Sequence, residues 1–169
     1  GGGGTQSMIA IGTVSSVRYI AWTYTPDWGN STTNTNKGDG VVYLGEINTS
    51  TGAVGWNSTP IVLDDSGGET NNLGIAFDEN AGKIVAVYQK GESTSTDRDP
   101  HIVVGTPSGT STGGDLAISW GTPVEISASP LFGGDGRQVF LEYDSQLQRT
   151  ILIWGWDNRI SAAVISISG

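Results

Sequence analysis

A few residue groups in this 169-residue chain have the make-up to do chemistry. Asp65-Ser66-Gly67-Gly68 has the form of a serine-nucleophile loop. Such a serine needs a histidine base held by a third group. The one histidine, His101, follows the serine, and no matching motif surrounds it. Asp-Ser-Gly-Gly is also a good turn between strands, and that reading is preferred. Paired carboxylates could cleave a glycoside, one as acid and one as nucleophile or base. Asp78, Asp144 and Glu142 are the acids to consider for that role. Calcium would need several hard oxygens converging. Asp64, Asp65 and Glu69 are close in sequence, as are Asp97 and Asp99, and Asp135 sits in Gly-Gly-Asp-Gly. None has EF-hand spacing, so these acids read as solvated loop residues and no cofactor is expected.

Tryptophan beside aspartate offers a different chemistry. An exposed indole stacks on the C–H face of a sugar while the acid accepts its hydroxyls. Trp28 follows Asp27, and Trp156 precedes Asp157. With Arg98, Arg159, Asp97, Asp99 and Asp135 they form the candidate ligand-binding set. The alternative is that both rings plug the gap against a neighbouring sheet.

These residues are positioned by an internal repeat. Ile9-Ala10-Ile11-Gly12 is followed by Tyr19-Ile20-Ala21-Trp22, and Ile75-Ala76-Phe77-Asp78 by Val85-Ala86-Val87-Tyr88. Leu141-Glu142-Tyr143-Asp144 is likewise followed by Ile151-Leu152-Ile153-Trp154, and both steps are 66 residues without a gap. Val42-Tyr43-Leu44-Gly45 matches Ile102-Val103-Val104-Gly105. The segment from Trp56 to Val62 matches Trp120 to Ile126 with one residue deleted. Each unit is therefore four short strands, A to D, rich in Val, Ile, Tyr and Trp and bounded by Gly, Asn, Asp and Pro. In the second unit they cover about Leu73–Asp78, Lys83–Gln89, His101–Thr106 and Leu116–Ile126. The third unit stops after strand C, which makes eleven strands.

Four antiparallel strands per repeat is the unit of a β-propeller. The expected fold is all-β and propeller-like. Its first blade covers about residues 5–66, its second about 71–129, and its partial third about 137–169. A ring normally has about four to eight blades, so more chain or further copies should complete it. Trp22, Trp56, Trp120 and Trp154 occupy equivalent positions and are assigned to the core. So are Ile9, Ile11, Tyr19, Ile75, Phe77, Val85, Tyr88, Leu141, Tyr143 and Ile151. Asp78 and Asp144 fall at equivalent A–B turns, which favours turn chemistry. Glu142 replaces the alanine of the other units, Ala10 and Ala76, and is expected to face a wet central channel. The longest connections, Pro26–Gly40, Gly91–Pro100, Asp64–Asn72 and Ser127–Gly136, are of the B–C and D–A types. They should emerge on one face, where repeat proteins meet partners.

Composition narrows the function further. The net charge is −9, with 8 Lys and Arg against 17 Asp and Glu, so nucleic acid and anionic membrane surfaces are unexpected partners. No apolar run approaches the roughly 20 residues that span a bilayer. Cysteine is absent, which excludes disulfides and thiolate metal sites. Gly1–Gly4 is not the start of a secretory signal, and Met8 is the single methionine, so the chain reads as a processed product or a piece of something longer. Three Asn-x-Ser/Thr sequons, at Asn30, Asn48 and Asn57, are explained by the polar composition.

The run from Ile75 to Tyr88, with Val104-Gly105-Thr106, Ser108-Gly109-Thr110 and Ile118-Ser119-Trp120-Gly121-Thr122-Pro123-Val124, resembles a known repeat. It is similar to the tandem repeats of structural and tail-fibre proteins of marine phages, notably cyanophages, and of some bacterial surface proteins. That resemblance implies a propeller-like appendage module on a virion or extracellular surface, with no catalytic motif to carry over. The expected function is a non-catalytic structural or adhesion module, a tail fibre or capsid decoration. It would contact virion or surface proteins, copies of itself, or host glycans. The alternatives are a propeller glycoside hydrolase or sialidase-like enzyme, and a lectin assembled from partial propellers.

Overall fold

The computed structural model describes residues 7–25, 40–63, 69–91, 98–126, 139–156 and 159–167, with the backbone alone at 69, 71–72, 90–91, 98–100, 155–156 and 159. Among these residues the chain is all-β, without helix, and forms three antiparallel sheets. The first holds β1 (Ser7–Val14), β2 (Val17–Tyr24), β3 (Val41–Ile47), β4 (Val54–Trp56) and β5 (Ile61–Val62). The second holds β6 (Glu69–Asp78), β7 (Lys83–Gly91), β8 (Arg98–Ser108), β9 (Ala117–Trp120) and β10 (Val124–Glu125). The third holds β11 (Val139–Asp144), β12 (Arg149–Trp156) and β13 (Arg159–Ile165).

Among the described residues thirteen strands stand where eleven were expected, because each strand D is broken after its tryptophan. The break is made the same way twice. Asn57 N–H donates to Leu44 O, and Gly121 N–H donates to Val104 O. Pairing with strand C resumes only beyond Pro60 and Pro123, residues that have no N–H to give the ladder. The second B–C and the first D–A connections are also shorter than expected. β7 and β8 pair out to Gly91↔Arg98, and β6 begins at Glu69, so part of each anticipated loop is strand.

The A–B hairpins confirm the period and correct one alignment. The last turn residues, Ser16, Gly82 and Gln148, are all left-handed, with φ of 69°, 63° and 52°. In the first sheet, however, Ser15 and Ser16 alone make the turn between Val14 and Val17, both with positive φ. In the other sheets four residues separate Asp78 from Lys83 and Asp144 from Arg149. Ile11 therefore pairs with Ile20, whereas Phe77 pairs with Ile84 and Tyr143 with Thr150. Strand B of the first unit is thus displaced by two residues from the gapless alignment. Tyr24, not Trp22, is the counterpart of Tyr88 and Trp154.

The sheets pack face to face in chain order. Val14, Tyr19, Ala21, Val42 and Leu44 of the first sheet meet Ile75, Phe77, Ile84 and Ile118 of the second. Ala76, Val85 and Val87, on the opposite face of the second sheet, meet Val139, Leu141, Leu152 and Trp154 of the third. We call the face toward the preceding sheet leading and the other trailing. β6 lies beside both β1 and β11, so the three A strands are neighbours. Gly12 permits this closeness, because a Cβ there would collide with Phe77. Polar clasps lock the first junction. Thr13 N–H donates to Glu79 Oε1 at 2.7 Å, and Tyr19 O–H donates to Gly109 O at 3.0 Å. Ser111 gives both its N–H (2.7 Å) and its hydroxyl (2.8 Å) to Glu46 Oε2.

Tyr19, Ile75, Phe77, Val85, Tyr88, Leu141 and Trp154 are buried as expected. Ile9, Ile11, Trp22 and Trp56 are exposed instead. All four side chains lie on the leading face of the first sheet, which no other sheet covers among the described residues. Trp120, Tyr143 and Ile151 are half-buried.

Candidate functional site

The expected ligand-binding set divides by what the structure describes. Asp27, Trp28, Asp97, Asp135 and Asp157 lie outside the described residues. Arg98, Asp99, Trp156 and Arg159 are placed by their backbones. Arg98 and Asp99 open β8, opposite Gly91 and Lys90, and are strand rather than loop residues. Trp156 closes β12 and pairs with Arg159, which opens β13. Both groups stand at the B–C end of their sheets, so the topology gathers four of the nine on equivalent ends of neighbouring sheets.

Along one edge of the three sheets, β1, β6, β11 and their turns line an open cleft of about 410 Å³. Its walls are Ile9, Ala10, Ile11, Ile75, Ala76, Phe77, Leu141 and Tyr143, with Glu79, Glu142 and Ser145 as its polar groups. Glu142 is exposed and lines this cleft. Glu79 is engaged, since its Oε1 accepts the Thr13 N–H.

Two of the three acids weighed for hydrolysis have other work, while Glu142 lines the cleft. Asp144 Oδ1 accepts the N–H groups of Gln146 and Leu147 at 2.8 and 3.0 Å. Asp78 Oδ1 accepts that of Ala81 at 2.9 Å. These are Asx turns, which the short acid forms with its own chain. Asp78 is buried as well, and its Oδ2 accepts the Thr150 hydroxyl at 3.4 Å across the second junction. Ser66 lies outside the described residues. His101 stacks on Tyr88 with ring centroids 5.6 Å apart. Asn57 Oδ1 accepts the Leu44 N–H and its amide donates to Thr59 O, so this sequon is built into the first strand D. Asn48 Oδ1 likewise caps a turn through Ser50 and Thr51. Asp64, Asp65, Asp97 and Asp135 lie outside the described residues; among those described, no group of three or more His, Asp or Glu converges as a metal ion would require.

One assembly escaped the sequence reading. On the leading face of the first sheet Trp22 stacks on Tyr24 (4.9 Å) and on Tyr43 (5.8 Å), and Tyr24 stacks on Tyr43 at 6.3 Å. Burial raises the Tyr24 phenol above its ordinary value, and its charge interaction and hydrogen bond with Tyr43 add to the rise. The signal for this ladder was the i, i+2 aromatic pair in strand B, which places both rings on one face. Trp56 stands on the same face, since it pairs with Gly45 two residues beyond Tyr43. Among the described residues no helix is long and apolar enough to cross a membrane. No protein-family model matches the chain, and no curated protein matches it.

Proposed function

We propose that the three sheets are blades of a β-propeller-like repeat, and that the chain is a non-catalytic structural and adhesion module. Its setting in this reading is a phage virion, as tail fibre or capsid decoration, or another extracellular surface. It meets host glycans or neighbouring virion proteins at the B–C end of the sheets, through Trp28, Trp156 and the acids and arginines beside them. The observation that carries the non-catalytic part is how the carboxylates are used. Asp78, Asp144, Glu79 and Glu46 each accept backbone N–H groups in turns or clasps. A general acid or nucleophile needs its oxygens for the substrate. The virion setting rests on the repeat resemblance.

A glycan array read for both binding and hydrolysis tests this. Binding without cleavage is the expected result; turnover of a glycan would establish the glycoside hydrolase instead. Trp28→Ala and Trp156→Ala, with stability unchanged, should each lower glycan or host-cell binding at least tenfold. Wild-type binding by both would remove the site.

A further inference from the structure

We propose that the cleft along β1, β6 and β11 binds a small organic cation, a primary ammonium carrying a short apolar body, with the Glu142 carboxylate as its counter-charge. The site includes the A–B turn residues Glu79 and Ser145. It therefore lies toward the opposite end of the strands from the residues assigned above to glycans, and it does not depend on that reading.

Three observations carry it. First, the cleft holds negative charge and no positive charge. Glu79 and Glu142 line it, and among the described residues no Lys, Arg or His does. The cations of the same hairpins bond elsewhere: Lys83 Nζ donates to Thr106 Oγ1 at 2.7 Å, and Arg149 Nη1 donates to Gln148 O at 2.8 Å. Glu79 is held by the Thr13 N–H through Oε1. Among the described residues nothing bonds to the Glu142 carboxylate. A cleft of one sign between low-dielectric walls focuses its field and concentrates counter-ions.

Second, the free carboxylate breaks the repeat at this one place. Ala10 and Ala76 occupy the position of Glu142 in the other two A strands, and both line the same cleft. The acids that follow the repeat, Asp78 and Asp144, accept N–H groups of their own turns. Glu142 has no such bond to explain it. A residue that departs from the local pattern without a structural partner marks a functional position.

Third, the walls suit an ammonium with an apolar body. At about 410 Å³ the cleft falls within the roughly 300–1,000 Å³ of small-molecule sites. Ile9 and Ile11 are exposed and Tyr143 is half-buried, so apolar surface stands open beside the carboxylate. β1, β6 and β11 are the outer strands of their sheets, which leaves alternate backbone C=O groups without a ladder partner. An ammonium has three N–H donors and no acceptor. The carboxylate and these carbonyls are its acceptors, and its apolar body covers the isoleucines. A metal ion is not the occupant, because no three acids converge among the described residues.

An NMR amide-shift titration of the 169-residue protein with 2-phenylethylammonium tests the proposal. Saturable shifts should centre on residues 9–11, 75–77 and 141–145. The Kd should be about 1 mM or tighter, in the range open to so small a ligand. Glu142→Gln keeps the shape and removes the charge. Glu142→Ala installs the residue that the other two units use, so circular dichroism should stay unchanged. Each variant should bind the probe at least tenfold more weakly. So should wild type bind 2-phenylethanol, which lacks the charge, and methylammonium, which lacks the apolar body. No saturable shift at about ten times that Kd, shifts centred on other residues, or full affinity in a folded Glu142→Gln would each overturn the proposal. Equal affinity for 2-phenylethanol would overturn the role of the carboxylate and with it the ligand class.

Discussion

Single side chains at the first junction tie its stability to pH. Tyr19 sits there, buried, and donates its hydroxyl to Gly109 O of the neighbouring sheet. Burial raises this phenol above its ordinary value of 10.0, and the charges of Glu46 and Asp115 raise it further. Only the neutral phenol can donate. The folded chain therefore holds this proton more tightly than the unfolded chain does. Its contribution is complete below pH 10.0 and is lost as pH rises through the raised folded value. The denaturant midpoint should thus hold up to about pH 10 and then fall, and Tyr19→Phe should flatten part of that fall. An identical alkaline limb in the variant would show that this hydroxyl is not part of the linkage.

At the scale of strands and hairpins much of the fold was legible in the sequence. The existence and order of A to D were legible because runs such as Lys83–Gln89 are apolar, β-branched and bounded by turn residues. The two-residue displacement of the first strand B was hidden, because a slip of two leaves every side chain on its original face. Only the Ser15–Ser16 turn geometry sets it. Exposure of Ile9 and Ile11 was equally invisible, since their type matches that of Ile75 and Phe77 and only a neighbouring sheet decides burial. The strand placement of Arg98 and Asp99 was hidden too, because no periodic pattern runs through the polar segment before His101. The displacement has a measurable consequence. Trp154, buried opposite the second sheet, should cost about 3–5 kcal/mol when truncated to alanine. Trp22 keeps mainly its stacking with Tyr24 and Tyr43, so Trp22→Ala in dilute protein should cost about 1 kcal/mol. Chemical denaturation of the two variants checks the order, and equal losses would restore the gapless alignment.

Among the described residues the three sheets form a stack in which the second alone is covered on both faces. Val85, Ala86, Val87 and Tyr88 of β7 are all buried, whereas the outer faces of the first and third sheets carry their exposed residues. In repeat architectures stability is a sum of units and nearest-neighbour interfaces. Amide exchange in dilute protein should therefore be slowest in β6 and β7 and fastest in β1 and β13. A uniform rate across the three sheets would mean a single cooperative block. The order of the sheets also bears on how the chain is made. Every ladder closes within one continuous stretch: Ser7 to Val62, then Glu69 to Glu125, then Val139 to Ile165. Among the described residues no strand waits for a partner from a distant part of the sequence, so each sheet can complete while the ribosome is still synthesising the next. During that interval the newest trailing face is bare, and the chain is most prone to aggregation until the next sheet covers it.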